Sequence, residues 1–337
     1  MTRSHTAALR RGRRAPRLGF VAAACAVLAA CGWTPEPPTP GGSFRFAVFG
    51  DGPYGNAENG RARRVIDALN ERPLQFVIHV GDIMWQQCTD TAYRERRALI
   101  ETIRHPVIYT PGDNEWLDCV DIAFRAVDPL ERLASLRSTF FAPADRSLGE
   151  TPLMLETQSA DPEHAEFVEH ARWSHGGVLF ATIHVVGGAN GGRPFRGREP
   201  RHDEEVARRT RAALDWLRDG FRAAAAADAA AVVVALHASL LHEPSNPEGA
   251  AYAPIRDALI ELAKELGKPV LLVHGDEHQY IVDRPFSDPV TGEPISNLQR
   301  LETFGSPDIG WVDVVVDTTL ADPFRFEPNV TPRWMWW

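Results

Sequence analysis

The sequence predicts an α/β protein in which parallel strands are connected by helices. Three observations lead to this fold class. Short apolar runs rich in β-branched and aromatic residues alternate with segments of helical spacing. Five of the apolar runs stop just before an Asp or a His. The composition is globular, with 44% hydrophobic and 24% charged residues in a chain of 337, which excludes a mainly disordered or many-span membrane protein.

Each predicted strand is a short apolar run that ends at turn residues. Strands that alternate with helices are expected to pair in parallel, because parallel neighbours need a crossover connection. Beyond Tyr280 the pattern changes to strands interrupted by Pro and Gly. In the alternating part the predicted strands are 44–49, 76–80, 107–109, 178–186, 232–236 and 270–273.

The predicted helices have apolar residues at three- and four-residue spacing between these strands. The longest is amphipathic, and its expected buried face carries Leu214, Trp216, Leu217 and Phe221. The predicted helices are 61–70, 91–103, 129–140, 203–227 and 254–266.

The N-terminus has the features of an export signal. Six Arg and no acidic residue lie in the first thirty positions, and the apolar run 18–30 is too short to span a bilayer comfortably. The run ends in Leu28-Ala29-Ala30-Cys31, which resembles the lipobox of bacterial lipoproteins. This resemblance implies a signal peptide over 1–30 and a lipid on Cys31 that anchors the exported protein to the bacterial membrane, facing the periplasm or the cell exterior. The alternatives are an ordinary secretory signal or a loose anchor.

The rest of the chain is divided by composition. Residues 31–42 are rich in Pro and predict an extended tether, and a single domain is expected over 43–330. The last residues, 331–337, form an aromatic tail that either packs on the domain or meets a membrane or a partner.

The charge of the exported part argues against nucleic acid as a partner. The formal net charge of the chain is −9, and it becomes −15 without the six early Arg. Phosphate backbones are bound by clustered Lys and Arg, so an acidic domain favours a small substrate over a polyanion.

Four cysteines are too few for a fold built on disulfides. Cys25 would leave with the signal peptide and Cys31 would carry the lipid. Cys88 and Cys119 then remain in an oxidising compartment, where a bridge between them is expected. The alternative is that they are two unpaired, buried thiols.

Polar residues follow the predicted strands at the edge where ligands bind in open α/β sheets. A single acid after a strand is usually a turn or a helix cap, but five such positions are hard to explain in that way. Carboxylates and imidazoles that meet in one crevice predict a metal site. The five residues are Asp51, Asp82, Asp113, His237 and Asp276.

These positions also carry a family resemblance. The blocks Phe49-Gly50-Asp51-Gly52, Val80-Gly81-Asp82, Pro111-Gly112-Asp113-Asn114-Glu115, His237 and Gly275-Asp276-Glu277-His278 resemble, in order and spacing, the calcineurin-like metallophosphoesterases. The resemblance implies a four-layer α/β/β/α sandwich around two divalent metal ions. It assigns Asp51 and His278 to the first ion, Asp82 to both, and Asp113, His237 and Asp276 to the second.

Four positions, in three of the blocks, depart from the family pattern. Pro53 stands where the family has a ligand His, Asp113-Asn114 replaces Asn-His, and Asp276 replaces the first His of the last block. The four aspartates balance the charge of two divalent ions. Since oxygen ligands replace nitrogen, the harder ions Mn²⁺, Mg²⁺ or Fe are favoured over Zn²⁺.

The resemblance implies hydrolysis of a phosphate mono- or diester by a water molecule that two metal ions activate. Asn114 can donate a hydrogen bond but cannot pass on a proton, so His242 is a candidate for that catalytic role. The alternative function is a catalytically degenerate lipoprotein that keeps the fold to bind a ligand or a partner.

Four further residues have both a functional and a structural interpretation. Glu115 is expected to orient ligands or to begin a helix. His274 is expected to support the site, or to be the ligand if the register is shifted. His184 and Asn190 are candidate substrate contacts, with a strand end and a surface loop as the alternatives.

Overall fold

The computed structural model describes residues 42–85, 88–119, 127–242 and 246–331. All of them belong to one compact unit. The predicted signal peptide, Cys31, nearly all of the tether, and the aromatic tail after residue 331 lie outside the described residues, so these features and the domain boundaries stay predictions. None of the described helices combines the length and the apolar character needed to cross a bilayer.

The described chain contains strands and helices that alternate through most of its length. The strands are β1 (Ser43–Phe49), β2 (Val77–His79), β3 (Val107–Tyr109), β4 (Glu156–Thr157), β5 (Ala171–His175), β6 (Val178–Thr182), β7 (Ala231–Ala235), β8 (Val270–His274), β9 (Ile281–Asp283), β10 (Leu298–Glu302), β11 (Gly310–Asp317) and β12 (Phe324–Val330). The helices are α1 (Asn56–Asn70), α2 (Asp90–Ile100), α3 (Pro129–Phe140), the short turn α4 (Gly187–Asn190), α5 (Pro200–Ala226) and α6 (Pro247–Leu266).

The strands form two mixed sheets. The first has the order β12-β11-β1-β2-β3, and the second has the order β4-β5-β6-β7-β8-β10-β9. In the first sheet β1, β2 and β3 are parallel, and in the second sheet β6, β7, β8 and β10 are parallel. The parallel pairing expected from strand–helix alternation is therefore present in both sheets.

The buried side chains arrange these elements into four layers. On β1, Phe44, Phe46 and Val48 point into a core shared by the two sheets, whereas Ala47 points to a core formed with helices α1, α2 and α3. Strand β7 behaves in the same way, because its alternate residues pack either on the first sheet or on α5 and α6. Both faces of the central strands are buried, which explains their continuous apolar sequence. The result is the α/β/β/α sandwich.

The last predicted helix differs most in its starting residue. The sequence analysis starts the last helix at Pro254, whereas α6 starts seven residues earlier and contains Pro254 in its interior. The true start has Asn246 as the N-cap, whose side chain accepts a hydrogen bond from the Gly249 N–H at 2.6 Å, followed by Pro247 at the first helical position. Pro247 and Pro254 are both possible first residues of this helix. Pro247 is the first residue, because it follows the N-cap Asn246.

Candidate metal centre

The acidic residues of the sequence motifs lie together beyond the carboxyl ends of the parallel strands. Asp51 follows β1, Asp82 follows β2, Asp113 follows β3, His237 follows β7 and Asp276 follows β8. Asp51, Asp82 and Asp276 have left-handed φ angles of 53°, 56° and 77°. Such backbone conformations are unfavourable outside glycine and concentrate at functional sites.

The imidazole of His237 is at the centre of this acidic cluster. Its Nε2 lies 3.1 Å from Asp113 Oδ1, 3.4 Å from Asp82 Oδ1 and 3.6 Å from Asp276 Oδ1. One group with metal-binding geometry contains Asp51, Asp82 and His237, and a second contains Asp113, His237 and Asp276. His237 therefore belongs to both groups, whereas the sequence analysis assigns it only to the second ion.

Both candidate histidine ligands have one ring nitrogen fixed by a backbone carbonyl. His237 Nδ1 lies 2.8 Å from the Val80 oxygen, and His278 Nδ1 lies 2.6 Å from the Ser306 oxygen. Since a carbonyl can only accept, each Nδ1 is the donor, and Nε2 is left for the cluster. This arrangement is how proteins orient a metal-ligating imidazole. His278 Nε2 lies 3.7 Å from Asp51 Oδ1, so His278 borders the first group.

Asp51 provides a direct test of whether the residues fit a metal ion. Its Oδ1 accepts a hydrogen bond of 2.9 Å from the Asp276 N–H, but its Oδ2 is buried and has no hydrogen-bond partner among the described residues. A buried carboxylate oxygen without a partner is costly, and a divalent cation would satisfy it. The donor set of carboxylates and imidazoles fits hard divalent ions.

Asn114 and Glu115 hold Asp82 in place. The Asn114 side-chain amide donates to Asp82 Oδ2 at 2.5 Å, and its backbone N–H donates to Asp82 Oδ1 at 3.1 Å. Glu115 Oε1 accepts from the backbone N–H groups of Asp82 and Gly112 at 3.1 and 2.8 Å. Gly112 must be glycine here, because a Cβ would lie 2.0 Å from Asp82 Oδ1.

Tyr54 is a part of the site that sequence reasoning missed. Its hydroxyl lies 2.7 Å from Asp82 Oδ2 and 3.0 Å from His278 Nε2. Burial raises the pKa of the Tyr54 phenol, so in the absence of metal the hydroxyl stays protonated and donates a hydrogen bond to Asp82. Pro53 cannot bind a metal, but the next residue places an oxygen between two candidate ligands.

Burial dominates the electrostatics of the cluster. It raises the pKa of Asp51 to about 8, and it also raises the pKa values of Asp82 and Asp276. Burial alone would lower the pKa of His237, but Asp82, Asp113 and other nearby acids raise it well above its ordinary value. The cluster therefore holds protons at neutral pH, and metal ions would replace them.

These pKa shifts predict the pH dependence of the metal-free protein. A folded acid with a raised pKa and a folded imidazole with a raised pKa both retain protons that the unfolded chain releases. Stability therefore falls as the pH rises through this range, by about 1.4 kcal/mol per pH unit for each such proton. Urea unfolding of EDTA-treated protein at about pH 5.5 and about pH 8.5 measures this slope, and a stability that rises with pH would contradict it. Added Mn²⁺ should stabilise more at the higher pH.

The predicted bridge between Cys88 and Cys119 is present. The two Cα atoms lie 5.9 Å apart, and both side chains are buried. The two sulfur atoms lie 3.6 and 3.9 Å from the carbonyl oxygen of Asn114. The bridge therefore packs directly against the residue that positions Asp82.

His184 and Asn190, the candidate substrate contacts, are both buried. His184 is fully buried, and its Nδ1 lies 2.8 Å from Glu169 Oε1. The Asn190 side-chain oxygen accepts from Arg209 at 2.5 Å, and Asn190 is likewise buried. The buried Arg209 on α5 also donates to the backbone oxygens of both residues, so His184 and Asn190 lie in the packed region between the end of β6 and α5.

His242 and His274 occupy different environments near the last block. His242 is partly exposed, its Nε2 lies 3.5 Å from Glu277 Oε1, and its ring stacks on Tyr252 at 5.5 Å. His242 also forms a third potential ligand group with Asp276 and Glu277. His274 is buried, and burial lowers its pKa to about 3, so it is neutral. His242 is therefore accessible to solvent, whereas His274 is a buried neighbour of the cluster.

Comparison with solved structures supports the fold. The chain is similar to a structure of PhoD, with a TM-score of 0.56 and 14% identity over 84% of this chain. It spans 66% of the PhoD chain. TT1561 of Thermus thermophilus is a more distant match, with a TM-score of 0.46 and 10% identity over 86% of this chain and 99% of that one. A phosphatase of Mycoplasma pneumoniae has a TM-score of 0.42 and 11% identity over 86% and 94% of the two chains.

Comparison with curated protein sequences gives no significant match. Residues 44–280, however, match the model of the calcineurin-like phosphoesterase family, and this segment contains all five motif blocks that surround the acidic cluster. The matched segment is well over half of the chain. The protein therefore belongs to the calcineurin-like phosphoesterase family.

Proposed function

We propose that this protein hydrolyses a phosphate ester with the help of two divalent metal ions held by the acidic cluster. The observation that carries the proposal is the convergence of three aspartates on Nε2 of His237, at 3.1 to 3.6 Å, beside an Asp51 oxygen without a partner among the described residues. Divalent ions in such a site polarise a phosphate and make a bound water more acidic.

The residues around the ions have separate tasks in this proposal. Asp82 belongs to the first ligand group, whereas the family resemblance assigns it to both ions, and Asn114 and Tyr54 hold its two oxygens in position. Asn114 donates to Asp82 and has no proton to give to a leaving group. His242 is the partly exposed imidazole beside Asp276, and we assign to it the protonation of the leaving oxygen.

A substrate panel tests the reaction and the role of His242 together. With Mn²⁺ present, we expect turnover of p-nitrophenyl phosphate, whose leaving group needs no proton, and slower turnover of an alkyl phosphate. His242→Gln should slow the alkyl phosphate by about 10²-fold or more and the aryl phosphate much less, since general-acid catalysis contributes that much only to poor leaving groups. An equal loss on both substrates would contradict the proton-donor role.

A non-catalytic binding protein is the competing function. It is favoured by Pro53 and by Asn114, which stand where the family has histidines. That function predicts a protein that binds metal or phosphate without turning over any ester in the panel.

Tyr54 offers a prediction about metal affinity. Tyr54→Phe removes the hydroxyl that contacts Asp82 and His278 but keeps the ring. We expect metal binding to weaken by about 10-fold, the usual effect of removing a group that orients a ligand. Titration with Mn²⁺ followed by electron paramagnetic resonance measures the change. An unchanged dissociation constant would show that the hydroxyl does not contribute to the metal site.

We also propose that the enzyme works outside the cytoplasm, anchored by a lipid on Cys31, and acts on a small phosphorylated substrate. The disulfide supports an oxidising compartment, since such bonds are rare where thiols are kept reduced. Cys31→Ser should move the protein from the membrane fraction to the soluble fraction and abolish labelling by a fatty acid. Unchanged membrane association would contradict the lipid anchor.

A further inference from the structure

Two aromatic side chains border the acidic cluster on the side of His278. The Tyr54 ring lies 5.5 Å from the His278 ring, and the Trp85 ring meets the Tyr54 ring edge-on at 5.7 Å. We call Tyr54 and Trp85 together the aromatic wall. Trp85 follows Asp82 by three residues, so it belongs to the same loop as a candidate ligand of the metal ions.

In the aromatic wall, hydrogen bonds hold Tyr54, the ring nearer to His278, whereas Trp85, the outer ring, is exposed to solvent. Tyr54 is held by its hydroxyl, which contacts Asp82 at 2.7 Å, and by its backbone N–H, which donates to Glu58 at 2.9 Å. Trp85 is 51% exposed. Of the described large apolar residues that are mainly exposed, Trp85 is the one that borders the cluster, and the others are Met154, Val290, Leu320 and Val330.

The two flanks of the cluster differ in chemistry. The flank at Asp276 carries His242 and the exposed Glu277, which are polar. The flank at His278 carries the aromatic wall. A phosphate bound at the cluster would therefore have polar groups on one side and an apolar, π-rich surface on the other. An exposed indole next to a ligand site gains free energy when another ring covers it.

We propose that the aromatic wall binds an aromatic group attached to the phosphate of the substrate, as in an aryl or nucleoside phosphate ester. This inference rests on the proposed function, because it needs the phosphate to be held at the metal ions. It assigns Trp85 to substrate selection and not to the chemical step.

Binding of phosphonates, which cannot be hydrolysed, tests the wall directly. Isothermal titration calorimetry of the Mn²⁺-loaded protein would compare phenylphosphonate with methylphosphonate. We expect phenylphosphonate to bind about tenfold more tightly, as is typical for stacking of one aromatic ring on another. Trp85→Ala should reduce this preference to near unity, and Trp85→Phe should keep most of it. Met154→Ala, which truncates another exposed apolar side chain, is the matched control and should leave the preference unchanged.

The outcomes separate this inference from the proposed function. If neither phosphonate binds, the proposed function fails, since the cluster does not hold a phosphate-like group. If both bind with equal affinity to the unmodified protein, the aromatic wall is not a substrate site. A phenyl preference that survives Trp85→Ala, or an equal weakening of both ligands in that variant, would also overturn the inference.

Discussion

Asp51→Asn is expected to abolish metal-dependent turnover while leaving the metal-free protein as stable as before at neutral pH. The amide keeps the oxygen that accepts from the Asp276 N–H, and an uncharged NH2 group replaces the buried oxygen without a described partner. Turnover should fall by about a thousandfold or more, since a metal ion supplies several kcal/mol of transition-state stabilisation and each 1.36 kcal/mol is tenfold in rate.

Stability should respond differently from activity in this variant. Because burial raises the pKa of Asp51 to about 8, its carboxyl is mainly protonated at neutral pH in the metal-free protein, and asparagine resembles that form. The decline of stability with rising pH should therefore become shallower in Asp51→Asn. A variant that unfolds at neutral pH, or that binds Mn²⁺ as tightly as the original protein, would contradict this account of Asp51.

Asp313→Asn is the matched control for a buried aspartate. Asp313 lies on β11 with Arg72 at 3.0 Å and Arg45 at 3.5 Å, so its charge is already paired. For Asp313→Asn we expect the opposite of the Asp51→Asn result, with activity kept and stability reduced. Metal binding and turnover should persist, and the free energy of unfolding should fall by about 1–3 kcal/mol, since hydrogen bonds to a charged group are lost.

Removal of the disulfide is expected to produce the largest loss of stability. Cys88 and Cys119 are 31 residues apart, and in the chain-entropy description a closed loop of that length contributes roughly 3–4 kcal/mol. The double variant Cys88→Ala/Cys119→Ala should lose about this amount in urea unfolding. It should also bind metal more weakly, because both sulfur atoms pack on the Asn114 carbonyl and Asn114 positions Asp82.

Chemical reduction of the unmodified protein provides the control for this prediction. The reduced protein and the double alanine variant should unfold at the same urea concentration, and both should lie below the oxidised protein. A double variant that is as stable as the oxidised protein would show that packing alone holds the two loops.

The positions of the acidic residues could be predicted from the sequence because local signals determine them. Asp51, Asp82 and Asp113 each follow an apolar strand, and parallel strands bring their carboxyl ends to one edge. The same signal predicts the α/β class, since alternating apolar runs and amphipathic helices need no long-range information. The order of the motifs carried the family resemblance, and that resemblance predicted the two sheets and the four layers.

The remaining parts of the site depend on contacts between distant residues. Tyr54 meets His278 across 224 positions, and no local pattern near Tyr54 indicates this contact. His184 and Asn190 were candidates for substrate contact because they lie at or after a strand end, and in the structure both are buried beside Arg209 of α5. Polar residues after a strand either line a site or lie beneath another element, and only the packing of α5 distinguishes the two.

The most direct test of the central claim is a titration that measures metal content and turnover in the same samples. EDTA-treated protein is loaded with increasing Mn²⁺, bound metal is determined after removal of the free ion, and hydrolysis of p-nitrophenyl phosphate is recorded. The account predicts that turnover is absent without metal and increases with bound metal, and that Asp51→Asn does not recover it. A protein that binds no Mn²⁺, or whose turnover does not depend on bound metal, would contradict the assignment of the acidic cluster as a catalytic metal centre.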